Sequence, residues 1–227
     1  MSTPPQQIPA FTLSCAKVRG NVKNTRYPDD RQIHALDDLL SAAQWDHTPA
    51  GFADGVRGNG RWRCTECVVL DVDNDPGGEI VTPDTIRRDF PDVAHYIVYS
   101  RHHNRPKDGK PAAPRFHVYF PVDLTCDAAA VTRLIDDVLA RCSYFDPGCS
   151  DLARFFLGVE HPEGEAVPGD LTLDSFMERQ TAAPAAPAAL TAPATSAREI
   201  PAGERNATLT AYAFTQLRRC GPEGIAE

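Results

Sequence analysis

Val68-Val69-Leu70-Asp71-Val72-Asp73-Asn74-Asp75 is the stretch on which the reading of this chain turns. The apolar, β-branched run over 67–71 predicts a buried strand that releases carboxylates at its end. Side chains alternate along an extended chain, so Asp71 and Asp73 point to one side. Two like charges held that close call for a cation, and hard oxygen ligands select Mg²⁺ or Mn²⁺. An EF-hand loop competes, because Asp71, Asp73 and Asp75 match its first, third and fifth positions. It fails where Pro76 replaces the needed glycine and Thr82 the closing glutamate. A solvated acidic turn, favoured by Asp75-Pro76-Gly77-Gly78, stays open on these residues alone.

Working outward, residues 11–19 read as a first strand. Ile33, Leu36, Leu39 and Leu40 recur at helical spacing and predict a helix over 33–43. Residues 48–61 carry Gly51, Gly55, Gly58 and Gly60 and read as a loop. Thr82-Pro83 is a helix start, a hydroxyl before a first-turn proline, for a helix ending near Phe90. Strands are expected at 95–100 and 116–121. The 101–115 connection lacks helical periodicity, so a hairpin with a long basic loop is expected. Val131, Leu134, Ile135, Val138 and Leu139 line one face of a helix over 127–142. A last strand is expected over 151–159. The alternation predicts an α/β (α+β) domain with a mixed or antiparallel sheet.

No apolar run approaches the roughly 20 residues of a membrane helix. Met-Ser-Thr-Pro-Pro lacks the basic start and apolar segment of a secretory signal, so a cytoplasmic location and no membrane partner are expected. The 7 cysteines are an odd number and scattered, which does not suggest a disulfide framework. A net charge of −8 argues against a protein that merely coats nucleic acid. Residues 1–10 are expected to be disordered, 11–180 to form the functional domain and 181–197, rich in alanine and proline, to be a linker. Leu209, Tyr212, Ala213 and Leu217 share a helical face in 198–227, the expected start of a second, truncated helical domain.

Two further blocks carry chemistry. Residues 100–110 with 114–117 hold Arg101, Arg105, Lys107, Lys110 and Arg115, three histidines (His102, His103, His117) and a single acid, Asp108. In an acidic protein such a cluster suits an anion, whether triphosphate or nucleic-acid backbone. Tyr144-Phe145-Asp146 ends an apolar pair in a carboxylate, and Arg154 follows eight residues later. A solvated basic loop and a plain Asp146-Pro147-Gly148 turn are the bland alternatives. Cys64-Thr65-Glu66-Cys67 has the spacing of half a zinc site, but no second tight pair completes it, so packing cysteines are expected rather than zinc.

In this order, the three blocks resemble the archaeo-eukaryotic primase superfamily, in particular the primase-polymerase domains of phage and plasmid helicase–primases. Leu70-Asp71-Val72-Asp73 matches its apolar Asp-x-Asp motif, Arg115-Phe116-His117 its histidine motif, and Phe145-Asp146 its third motif. Arg115 stands where the family usually has serine. Ile200-Pro201-Ala202-Gly203-Glu204-Arg205-Asn206-Ala207-Thr208-Leu209 resembles the start of the primase C-terminal domain that tends to precede a helicase domain. The alanine- and proline-rich linker would suit an actinobacterial phage, whose protein would work in the host cytoplasm.

The resemblance implies a catalytic sheet like the RNA-recognition fold with a smaller N-terminal α/β unit, and a DNA primase/polymerase activity. Asp71, Asp73 and Asp146 (Asp151 as the alternative) would bind two Mg²⁺ or Mn²⁺ ions. His117 and Arg115 would grip the triphosphate, helped by Arg101, His102, Lys107 or Lys110, while Arg154 would contact the incoming nucleotide. Lys17, Arg19, Lys23 and Arg26, with Arg57, Arg61 and Arg63, would touch the template. The implied partners are single-stranded DNA template, primer and NTP or dNTP. The rival readings are a metal-dependent nuclease or phosphohydrolase on the same carboxylates, and a non-catalytic nucleic-acid-binding or origin-recognition module.

Overall fold

The computed structural model describes residues 8–181. The chain divides into two units, Met1–Glu178 and Arg179–Glu227. The expected linker and helical start fall in the second, outside the described residues except for Thr181.

The centre of the first unit is a five-stranded sheet. Its strands are β4 (Ala50–Phe52), β5 (Trp62–Val72), β6 (His95–Tyr99), β9 (Phe116–Thr125) and β10 (Gly164–Val167). They lie in the order β10-β6-β9-β5-β4, every neighbour antiparallel. β9 separates β5 from β6, and helix α2 (Pro83–Asp89) joins those two. The hairpin expected between the second and third strands is present as β6–β9. Its connection forms a two-stranded sheet of its own, β7 (Arg105–Lys107) with β8 (Lys110–Ala113). Asp108 and Gly109, both at positive φ, make the two-residue turn.

β5 and β9 are buried on both faces, which is why they read as unbroken apolar runs. Val68, Leu70 and Val72, with Phe116, Val118 and Phe120, face one core. There they meet Ile86 of α2, Val131, Ile135 and Val138 of α3 (Ala128–Arg141), and Phe176 of α4 (Leu173–Thr181). Asp127 caps α3, its Oδ1 accepting the N–H groups of Ala129 and Ala130 at 2.9 and 3.1 Å. The opposite residues, Cys67, Val69, Tyr96, Val98 and Tyr119, face a second core. This core is closed by β1 (Phe11–Cys15) and α1 (Leu36–Ala43). β1 is central in a three-stranded antiparallel sheet with β2 (Asp29–Ile33) and β3 (His47–Thr48).

Several expectations need correction. α1 begins at Leu36, because Ile33 ends β2, opposite Phe11. The 48–61 loop contains β4. Residues 151–159 do not form a strand and make one isolated bridge, His47↔Phe156. A 3₁₀ turn at Pro147–Ser150 bends the chain ahead of them, and the last strand of the sheet is β10. Ile8, within the stretch expected to be disordered, is buried in the second core. Among the described residues no helix is long and apolar enough to cross a membrane.

Candidate active site

The parity of β5 places its carboxylates. Odd-numbered residues face the second core, so Asp71 emerges on that side at the strand's end, with Asp73 just beyond. Across the ladder Asp71 pairs with His117 of β9, whose Nε2 lies 3.5 Å from Asp71 Oδ1. Phe156 packs against the imidazole, ring centroids 4.8 Å apart.

The third block joins them through the backbone. Asp146 N–H donates to Asp71 C=O at 2.9 Å, and Asp71 N–H donates to Cys149 Sγ at 3.3 Å. The 146–149 turn is thereby clipped to the carboxylate-bearing end of β5. Arg154 stands between the two side chains, its Nη2 donating to Asp71 Oδ2 at 3.0 Å and to Asp146 Oδ2 at 2.6 Å. Gly148 makes room for that guanidinium, since a Cβ there would lie 2.4 Å from Arg154 Nη1. Lys107 Nζ reaches both Asp73 oxygens, at 2.8 and 2.7 Å, and Lys110 reaches Asp75.

Burial pushes the Asp71 carboxyl up to about 6, with Asp73 and Asp146 adding to it and Arg154 opposing. Asp146 goes the other way: burial works to raise it, but the Gly148 N–H and Arg154 outweigh that and hold it below the usual carboxylate range. Burial, aided by Arg154 and Lys107, drives His117 down to about 3, so its imidazole is neutral at physiological pH.

Asp71, Asp73, Arg101, His102, Lys107, His117 and Arg154 line one open cleft. On the other side of Asp73, a second cleft also lined by Asp146 includes Asp75, Glu79 and Tyr144. The site is thus basic towards 101–107 and acidic towards 75–79.

The remaining candidates do not line the first cleft. Asp151 is exposed, its Oδ1 accepting Ala153 N–H at 3.0 Å. Arg115 is 1% exposed, and its guanidinium donates to the carbonyls of Arg105 (2.7 Å), Pro111 (3.1 Å) and His102 (3.2 Å). It braces the base of the β7–β8 hairpin from inside. Of the basic residues assigned to template, Lys17 faces Asp29 at 3.8 Å and Arg19 donates to Gln44 C=O at 2.7 Å. Arg61 pairs with Asp54 at 3.3 Å, while Lys23, Arg26 and Arg63 are exposed. Arg57 lies over the Phe155 ring and donates to Ala153 C=O, next to Arg154. Cys67 packs in the second core and Cys64 is buried at the entrance of β5.

Three contributors escaped the sequence reading. Cys149 and Phe156 act only through contacts that need the fold. Asn74 is a left-handed residue (φ 50°) whose amide donates to Val81 and Pro114 carbonyls and accepts Val81 N–H, fastening the loop after Asp73. An asparagine after Asp-x-Asp was its one legible sign.

The carboxylates converge on cationic side chains; among the described residues no three His, Cys, Asp or Glu groups form a ready metal cage. The Asp71 and Asp146 oxygens nonetheless share a single nitrogen, the relation a bridging cation requires. Comparison with protein-family models, with curated proteins and with solved structures finds no match.

Proposed function

We propose that this domain is a template-directed DNA primase/polymerase, joining nucleotides from NTPs or dNTPs with release of pyrophosphate. The observation that carries the reading is convergence. Three blocks far apart in sequence, chosen for their likeness to the primase motifs, meet at one cleft through the Asp71↔His117 register, the Asp146–Asp71 backbone bond and the Arg154 bridge. The run β5–α2–β6–β9–α3, with β9 between β5 and β6, is a split β-α-β unit, which supports the sheet like the RNA-recognition fold that the resemblance implies. It departs in one place: β4, from the N-terminal side, holds the position beside β5, and β10 goes to the far edge.

Asp71, Asp73 and Asp146 fit divalent Mg²⁺ or Mn²⁺, because their oxygens already gather about positive charge. Bound there, such ions would acidify the attacking 3′-hydroxyl and neutralise charge on the reacting phosphate and pyrophosphate. The chain's own residues do the rest. Arg101, His102 and Lys107 offer positive charge and donors to a triphosphate in that cleft. The neutral His117 imidazole, held by Phe156, can donate to a phosphate oxygen without repelling a cation at Asp71. Arg154, freed from the carboxylates, can follow the incoming nucleotide. Arg115, bound to three carbonyls, serves the frame of the site rather than the triphosphate.

The test is nucleotide incorporation on single-stranded DNA, with and without primer, in Mg²⁺ and in Mn²⁺. Wild type is compared with the Asp71→Ala, Asp73→Ala double variant. Extension that vanishes in the variant is expected, and primer-independent products would add priming. Metal- and aspartate-dependent shortening of DNA would make the protein a nuclease instead. DNA binding without chemistry would leave a binding module.

A further inference from the structure

The β7–β8 hairpin is a separate two-stranded sheet, and its tip is tied to the acidic end of β5. Lys107 Nζ sits on both oxygens of Asp73, and Lys110, across the turn, sits on Asp75. Lys107 and Asp73 are 28% and 29% exposed, so this ion pair is shielded from solvent more than a surface pair. The hairpin's base is braced by Arg115 through Arg105 and Pro111 carbonyls, one on each strand. The Nε of Arg115 is buried without a hydrogen-bond partner and lies 3.8 Å from Asp73 Oδ1.

We infer that the hairpin is a flap latched by Lys107 to Asp73, and that divalent-cation binding at the carboxylates opens the latch. The inference rests on the metal site proposed above. Lys107 occupies both oxygens that Asp73 would offer a metal, so ammonium and metal compete for them. When the cation takes Asp73, Lys107 is released into the same cleft with its charge free for an anion. Arg115 stays behind as a positioning residue, because a small rotation of Asp73 brings an oxygen to its unpaired Nε. Metal occupancy is thereby converted into an open flap and a freed lysine.

The experiment is hydrogen–deuterium exchange of residues 101–115 in the full chain during a Mn²⁺ titration, with free Mn²⁺ followed by electron paramagnetic resonance. In wild type, exchange across 105–113 should accelerate roughly two- to fivefold as the site fills, the size set by one partly buried ion pair. Lys107→Met should show the fast hairpin before any Mn²⁺ is added, and should bind Mn²⁺ more tightly. Asp73→Asn should show a fast hairpin that ignores Mn²⁺. Protection of β5 and β9 amides reports that each variant is folded. Mn²⁺ that binds without changing the hairpin, or a Lys107→Met hairpin as protected as wild type, overturns the latch and leaves the metal site standing. Absence of Mn²⁺ binding by wild type overturns both.

Discussion

Arg154→Ala leaves Asp71 and Asp146 facing each other without the guanidinium that now stands between them. Removing one partner of a buried ion pair costs about 3–5 kcal/mol. Here the arginine is 22% exposed and the carboxylates 13% and 35%, so solvent screening reduces that to about 2 kcal/mol. For a domain of this size the loss corresponds to a Tm lower by about 4–8 °C. Mn²⁺ supplies the decisive arm. At roughly a hundredfold excess over Kd, a ligand stabilises the folded state by about 2.7 kcal/mol. In the variant that gain is realised in full, whereas wild type must first break the Arg154 contacts and gains less, by up to about 2 kcal/mol. Thermal denaturation with and without Mn²⁺ measures both terms. A variant melting within about 1 °C of wild type, with the same Mn²⁺ gain, would refute the reasoning that Arg154 holds the place of a cation.

Gly148→Ala should act as a milder version of the same change, since its Cβ would press on Arg154 Nη1; metal-free Tm should fall and the Mn²⁺ gain rise. Asp146→Asn should lower nucleotide incorporation by at least about a hundredfold, as loss of a group that stabilises the transition state does. Asp151→Asn should leave it near wild type, because the amide oxygen keeps the Ala153 contact, and equal losses would point to the alternative ligand. His47 is held down to about 4 by burial, below its unfolded value, so the stability it confers is complete above about pH 6.5 and is lost as pH falls towards 4. Comparing wild type with His47→Phe by urea denaturation should show a wild-type slope steeper by about 1.4 kcal/mol per pH unit across that window. Parallel profiles would mean that the imidazole is protonated in the folded state.

The parts legible in the sequence are those in which local chemistry and burial agree. β5 and β9 advertise themselves because both faces are covered, and α3 because its cap and its apolar face coincide. β2 was hidden: in Asp29-Asp30-Arg31-Gln32-Ile33 only Ile33 is buried, so an edge strand of the outer sheet carries almost no hydrophobic signal. The stretch 151–159 misled in the opposite sense, because Phe156 is apolar for packing against His117 and Phe155 for packing against Tyr27 and Arg57, rather than for a place in a ladder. Asp71 and Asp73 could be placed on one side from parity alone. Arg115 could not, since a basic residue two before a histidine looks the same whether it meets solvent or three carbonyls. Whether a cation faces a ligand is decided by the neighbouring chain.

The segment carrying Arg154 is stitched to the N-terminal layer, not to the central sheet. Phe156 and His47 exchange backbone bonds in both directions, Val159 N–H donates to Ala43 C=O, and Thr48 Oγ1 donates to Arg154 C=O. Gly158 lies so near that layer that a Cβ would stand 2.5 Å from Gln44 O. Arg154 thus reaches Asp71 of the central sheet from a segment whose backbone is held by the N-terminal layer. A fragment lacking residues 8–48 should therefore keep Asp71 and Asp73 while losing the backbone bonds that hold Arg154 beside Asp71.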